Sequence, residues 1–480
     1  MTKSLIRSAA GVRDPRSPLL AIGDIVEIVC TDLIAKTGQA VGRSGGMVVY
    51  VLGPVPGERA RVRIESVKAK YAVAELVEIV ERSPDRAEPF CGVFGTCGGC
   101  QVQHLAYPAQ LAWKRGVIEN ALRRLGGIAD AHISVPIGMS HPRAYRNKMA
   151  LVVERGGLQR GFGFYAARTH DVVPVDTCPI VMPQLDRTLA GLWEAVHDPA
   201  TSAAFDGARH VVARTGRASG ETILSITTER RSTTLPPLAA AVARKLPATV
   251  GIANGFEPPS ENAVLGRKHA LAYGKPDMEE KIGDVIFRVS AASFFQVNSE
   301  MVAAIFAFME PAVRTLPRIV DLYCGAGTFA LFFATRGARV AGIEENPHAV
   351  REAKRNAALN GVESRTSFLN GRVEVVLRSK AGTTALAESD VVFLDPPRKG
   401  SDDATLAALV RARVPHAWYL SCNPATLARD LVPLLRGGYR LACVQPFDMF
   451  PQTGHIEALA ILHRQDVPAL DFPVAQERCA

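Results

Sequence analysis

The chain has 480 residues, 48% of them hydrophobic, and a formal net charge of +9 from 56 Lys and Arg against 47 Asp and Glu. That length predicts two to four domains with buried cores. No apolar run approaches the roughly 18 residues of a membrane span, the N-terminal MTKSLIRSAAGVRDPRSPLL lacks the apolar core of a secretory leader, and the charge suits a polyanionic partner.

Residues 1–22 are polar and dotted with Pro and Gly, and a flexible arm is expected there. From 23 to 82, short β-branched runs separated by Gly and Pro predict a small barrel of about five strands. Arg43, Arg59, Arg61, Arg63, Lys68 and Lys70 fall on or between these runs, as a solvated strand face or as a phosphate-binding face. RSPDRAEPF then breaks the pattern as a linker would.

A mixed α/β region is expected over 83–290. It opens on three crowded cysteines, Cys91, Cys97 and Cys100, in CGVFGTCGGC. Nine cysteines, an odd count, argue against a disulfide framework, and crowding in a reducing cytoplasm points to a metal or cluster. AYPAQLAWKRGVIENALRRLGG has a helical period and a glycine stop, while RAYRNKMALVVE and RGFGFYAARTHDVVPV read as basic turns feeding strands. From 291 to 480, apolar strands alternate with helices, which predicts a doubly wound α/β sheet with its chemistry at the carboxyl ends of the strands.

Within that sheet, a strand over Ile319–Tyr323 runs into Gly325 and Gly327, and a helix is expected from about Phe329. Glycines there let the backbone approach a ligand. A second strand, Val340–Ile343, ends in Glu344, about twenty residues past the first glycine, where a carboxylate can hold ribose hydroxyls. The layout serves nicotinamide cofactors and S-adenosylmethionine alike. FLDPPRKG adds Asp395 and two prolines that hold an extended segment able to shape a slot for a flat base.

DLYCGAGTFAL, LDPPRKG, SCNPATLARDL and HIEALAIL, in this order and preceded by SFFQVN, resemble the RNA (uracil-5-)-methyltransferase family. The barrel is similar to a TRAM domain, and CGVFGTCGGC with the later DTCPI is similar to the iron–sulfur site of the family's 23S ribosomal RNA members. The resemblance spans about residues 24–463. It implies a C-terminal Rossmann-like class I methyltransferase domain, an OB-like barrel, and a central RNA-binding domain. It also implies transfer of a methyl group from S-adenosylmethionine to C5 of uridine.

Uracil C5 is a poor nucleophile, and addition of a thiolate to C6 moves charge onto C5 and O4. A base must then remove the C5 proton. By the resemblance Cys422 is the nucleophile and Glu457 the base, with His455 as a rival base; Gln296, Tyr323, Glu344 and Asp395 contact S-adenosylmethionine. Asn370 and Arg372 leave the adenine contact open, and Arg398 serves RNA or the active-site loop.

The resemblance makes Cys91, Cys97, Cys100 and Cys178 the ligands of a [4Fe-4S] cluster with a structural or RNA-positioning role; four thiolates suit zinc equally well. Cys30, Cys324, Cys443 and Cys479 are assigned no chemistry. The nucleotide must be flipped or presented from a loop, and YRNK, Tyr145–Lys148, is a candidate for gripping phosphates or stacking bases. The expected partner is RNA, 23S ribosomal RNA ahead of transfer RNA, in the cytoplasm, with no membrane and no obligate protein partner. The competing readings are an iron–sulfur nicotinamide oxidoreductase and a non-catalytic RNA-binding protein.

Overall fold

The computed structural model describes residues 20–154, 161–260 and 263–473. Residues 1–19 of the expected arm, and Cys479, lie outside the described residues. No helix among the described residues is long and apolar enough to cross a membrane. The chain divides into two compact units, one up to Glu88 together with His104–Ala106, the other comprising the remainder.

In the first unit the strands Ile25–Val29, Asp32–Leu33, Ala40–Ser44, Met47–Val51, Arg59–Val67 and Tyr71–Glu81 form one six-stranded sheet. Arg59–Val67 alternates between exposed and buried, sending Ala60, Val62 and Ile64 inward, the period-two pattern of a half-buried strand. The sheet curls on itself: a Cβ on Gly42 would lie 2.8 Å from the Ile28 side chain, so glycine lets the first strand approach the third.

The outward arginines are ion-paired across strands. Arg59 faces Glu81 at 3.4 Å, Arg61 faces Glu78 at 2.5 Å, and Arg63 faces Glu75 at 3.3 Å. For these three the solvated strand face is the reading observed. Residues 20–88 hold ten acids against nine bases, so the excess positive charge of the chain lies outside these strands.

The second unit contains two seven-stranded sheets. The first runs Lys268–Gly274, Thr249–Phe256, Thr222–Thr228, Ala208–Thr215, Lys148–Glu154, Gly161–Tyr165 and Val172–Pro174 in spatial order. Helices Pro183–His197 and Leu235–Lys245 cover it through Leu185, Leu189, Leu192, Ala239 and Val242. The hairpin Asp277–Ile282/Val285–Ser290 and helix Ser299–Val313 join the main core through Met278, Phe287, Val302 and Phe306.

The second sheet runs Thr366–Asn370, Arg339–Glu344, Arg318–Leu322, Val391–Leu394, His416–Ser421, Glu457–Arg464 and Tyr439–Phe447. Every pairing among the first five strands is parallel, and Glu457–Arg464 runs antiparallel to both neighbours. The inner strands Arg318–Leu322, Val391–Leu394 and His416–Ser421 are buried on both faces beyond Arg318, as helices packed on both sides require, whereas the edge strand Thr366–Asn370 buries only Phe368. Helix Tyr107–Leu125 packs Ile118 and Leu122 beside Leu427 and Ala428 of helix Pro424–Arg436. Residues 132–137 cover the sheet edge, His132 O accepting from Val444 N at 2.8 Å and Ile137 N donating to Pro446 O at 3.0 Å.

Candidate active site

The first catalytic strand ends at Leu322, and Tyr323 turns left-handed, with φ 66°. A non-glycine residue there stores about 1–3 kcal/mol unless its surroundings hold it. Its hydroxyl lies 3.0 Å from Ser401 Oγ, which ties the glycine turn to the DPPRKG loop. Gly325 and Gly327 follow with φ 55° and 88°, and helix Thr328–Thr335 begins at once. Glu344, the last residue of the neighbouring strand, accepts from Gly325 N at 3.1 Å and from Asn346 N at 2.7 Å, which orients its carboxylate along the turn.

Asp395 sits one residue past Val391–Leu394, and its Oδ2 accepts from Gln296 Nε2 at 3.4 Å. Gln296, Tyr323, Glu344 and Asp395, the four expected cofactor residues, therefore line the carboxyl ends of three adjacent strands and the SFFQVN segment. Burial pushes the Asp395 carboxyl well above the usual range, and the Gln296 amide only partly offsets it. Asp321, inside the first strand, was not anticipated. It is buried, and burial, then the charge of Asp395, raises its pKa against the opposing effect of the Ala330 amide. The signal was an acid in the middle of the apolar run IVDLY.

The DPPRKG loop is latched from below. Ser401 N donates to Asp430 Oδ2 at 2.8 Å, Tyr419 OH donates to the same oxygen at 2.6 Å, and Arg429 Nη2 donates to Lys399 O at 2.9 Å. Asp430 lies on the buried face of helix Pro424–Arg436, a position that LARDL contains but does not advertise.

Cys422 stands between strand His416–Ser421 and that helix. Asn423 caps the helix by accepting from Ala425 N at 3.1 Å, with Pro424 at the first helical position, so the thiol stays outside the helix. The Asn423 side chain also donates to Arg398 O at 3.0 Å, joining the cysteine turn to the DPPRKG loop. Ser421 pairs with Ala458, and Glu457 begins the antiparallel strand. A strand running against its neighbours starts where they end, which brings Glu457 to the edge occupied by Cys422 and Asp395.

The charges follow from this crowding. Burial pushes the Cys422 thiol up to about 11, the carboxylates of Glu457 and Asp395 add to the rise, and Arg398 opposes it. Burial also holds the Glu457 carboxyl well above the usual range, reinforced by Asp395 and opposed by Arg398. His455 lies at the solvent-exposed rim, its ring nitrogens 3.4 and 3.5 Å from Arg398 Nη2. Partial burial of the ring, then the charges of Arg398, Arg146 and Lys114, lower its pKa to about 4. Glu457 is thus the stronger proton acceptor of the two.

Several expected roles change. Tyr145 is buried and donates to Pro451 O at 3.1 Å, and Asn147 is buried and donates to Gln296 O at 3.0 Å. Neither can stack a base, because both are spent holding other segments. Asn370 Nδ2 donates to Glu344 O and Glu345 O, and Arg372 pairs with Glu374.

The four cysteines proposed as ligands are free and half-buried. Burial raises the Cys100 thiol to about 12 and the Cys178 thiol to about 11, with charge on the other cysteines adding to each. As a donor set they suit a soft metal. Among the described residues, however, no group of three or more His, Cys, Asp or Glu is arranged to hold a metal ion. Cys30, Cys324 and Cys443 are buried packing residues.

Residues 276–465 match the family described as tRNA (Uracil-5-)-methyltransferase, and residues 20–77 match the TRAM domain. An uncharacterized RNA methyltransferase of Halalkalibacterium halodurans is 36% identical over 451 residues, covering 92% of this chain and 97% of that one. One from Bacillus cereus is 35% identical over 462 residues, covering 93% and 98%. The crystal structure of Pyrococcus abyssi tRNA (uracil-54, C5)-methyltransferase in complex with S-adenosyl-L-homocysteine is similar at a TM-score of 0.70 and 25% identity, covering 91% of this chain and all of that one. The chain belongs to the TRAM-containing RNA uracil-5-methyltransferase family and is an RNA methyltransferase.

Proposed function

We propose that this enzyme forms 5-methyluridine in 23S ribosomal RNA, with Cys422 as nucleophile and Glu457 as base. The observation that carries the assignment of Cys422 and Glu457 is the register that starts the antiparallel strand at Glu457 beside the end of the Cys422 strand; the choice of 23S ribosomal RNA rests on the resemblance of the barrel and the cysteine cluster. Gln296, Tyr323, Glu344 and Asp395 are the residues that hold S-adenosylmethionine, which when bound supplies an electrophilic methyl group.

The Cys422 sulfur bonds to uracil C6 as its proton passes to solvent, and the C5–C6 pair moves into an enolate over C5 and O4. C5 uses that pair to bond the methyl group as the methyl's bond to the sulfonium sulfur breaks, leaving S-adenosylhomocysteine. The Glu457 carboxylate then takes the C5 proton, the double bond re-forms, and the sulfur leaves C6 as thiolate. Raised proton affinity suits Glu457 to this step, provided it enters ionised. His455, at about 4, is the weaker base.

Transfer RNA is the second reading, favoured by the likeness to the Pyrococcus abyssi enzyme over the whole of that chain. Incubation with labelled S-adenosylmethionine and unmodified RNA separates them. Label in 5-methyluridine of 23S ribosomal RNA supports the first reading, label confined to transfer RNA supports the second, and label in neither sinks both.

We also propose Cys91, Cys97, Cys100 and Cys178 as ligands of a [4Fe-4S] cluster, with zinc as the alternative. The methyl transfer needs no electron, so a structural role fits. Iron, zinc and sulfide analysis of the purified protein decides between them.

A further inference from the structure

Between strand Tyr439–Phe447 and Glu457 lies the connection DMFPQTGHI, residues 448–456. Its carbonyls are held one after another by donors from distant parts of the chain. Asn298 Nδ2 donates to Met449 O at 3.1 Å, Lys114 Nζ to Phe450 O at 3.0 Å, and Tyr145 OH to Pro451 O at 3.1 Å. Gln452 O then accepts from the amides of Gln101 and Val102, both at 3.1 Å.

Side chains complete the grip. Gln110 donates to Gln452 Oε1 at 2.9 Å and accepts from Gln452 N at 3.1 Å. Gln452 itself has φ 69°, a conformation that persists in a non-glycine residue only where the surroundings over-determine it. Lys114 Nζ lies 2.6 Å from Asp448 Oδ1, with both side chains almost wholly out of solvent. A buried ion pair of this kind is weak evidence for stability and stronger evidence for a specified geometry.

A surface connection needs none of this, because water satisfies its carbonyls. Here four consecutive carbonyls, those of residues 449–452, are fixed from outside the catalytic sheet, and the last lies five residues before Glu457. We propose that Lys114, Gln110 and Tyr145 are positioning residues, which hold residues 448–456 so that the Glu457 carboxylate meets the C5 proton. The proposal rests on the reading of Cys422 as nucleophile and Glu457 as base.

Displacing a catalytic group by about 1 Å costs up to roughly 100-fold in the step it serves. Glu457 serves only the last step, so a displaced base leaves methyl transfer intact and slows release of the RNA. A merely structural defect does not produce that split.

The test uses the full-length enzyme with labelled S-adenosylmethionine and substrate RNA, comparing wild type, Lys114→Met, Tyr145→Phe, Glu457→Gln and Cys422→Ala. Tyr145→Phe removes a single hydroxyl from a buried ring and carries the test if Lys114→Met does not fold. The expected result is accumulation of a denaturation-resistant, methyl-labelled RNA–protein adduct in Lys114→Met and Tyr145→Phe. It should come with a roughly 10–100-fold lower kcat and a KM for RNA lowered in proportion, so that kcat/KM stays within about twofold. If Glu457→Gln traps this adduct but Tyr145→Phe turns over like wild type, or loses turnover without adduct, the positioning proposal is wrong. If Glu457→Gln traps nothing, or Cys422→Ala still forms adduct, the underlying reading of the site fails instead.

Discussion

Glu457 opens the antiparallel strand of the catalytic sheet at the edge where Cys422 leaves its parallel strand, with Ser421 and Ala458 paired between them. Two groups 35 positions apart in the chain thereby share one buried site with Asp395, where Glu457 and Asp395 raise the proton affinity of Cys422 and Asp395 raises that of Glu457.

The thiol of Cys422 is protonated at neutral pH, since burial and two carboxylates push it up to about 11. Its alkylation rate, followed on the Cys422 peptide by mass spectrometry, should keep rising with pH until about 11, whereas an ordinary cysteine levels off near 8.5. Arg398→Gln removes the opposing charge and should move the curve to still higher pH. A plateau below pH 9 contradicts this.

In the proposed mechanism Glu457 must be ionised to accept the C5 proton, and its pKa is raised by burial, then by Asp395, against Arg398. The acid limb of kcat, measured at saturating cofactor, should therefore lie above the ordinary carboxylate range of roughly 4.3. Asp395→Asn should lower it and Arg398→Gln should raise it. The folded state binds this proton more tightly than the unfolded chain, so the group's contribution to stability falls as pH rises through the raised value. A limb at the ordinary value, unmoved by either substitution, contradicts the assignment.

Two glycines of the cofactor region should respond differently to alanine. A Cβ on Gly342 would lie 2.7 Å from Phe368 Cδ1 and 2.9 Å from Cys324 Sγ. Gly342→Ala should cost about 1–3 kcal/mol of stability by overpacking, visible in denaturant unfolding, with little change in KM for S-adenosylmethionine. A Cβ on Gly325 meets nothing within 4 Å, and φ there is 55°. Gly325→Ala should cost about 1–2 kcal/mol for the left-handed backbone and raise that KM several-fold, because the methyl group enters space left for ligand. Equal KM values for the two variants contradict this.

The features readable in the sequence are those set by neighbours in the chain. Gly325 and Gly327 make a turn after an apolar strand, Asn423–Pro424 cap a helix beside Cys422, and Arg59, Arg61 and Arg63 alternate along a strand. What the sequence does not carry is the long-range partner. The arginines read equally as a phosphate-binding face until Glu75, Glu78 and Glu81 appear opposite them. Tyr145 reads as a stacking residue until its hydroxyl is found on Pro451 O, 306 positions away. Lys114 and Asp448, 334 positions apart, give no local signal, since a lysine in an amphipathic helix reads as solvent-facing.

The central claim is that Cys422 forms the bond to uracil and Glu457 resolves it. Its most direct test is mass spectrometry of the Glu457→Gln enzyme after incubation with S-adenosylmethionine and RNA, followed by nuclease and protease digestion. The account predicts a peptide containing Cys422 joined to a 5-methyluridine nucleotide. Free 5-methyluridine with Cys422 unmodified, or an adduct on any other cysteine, would contradict it.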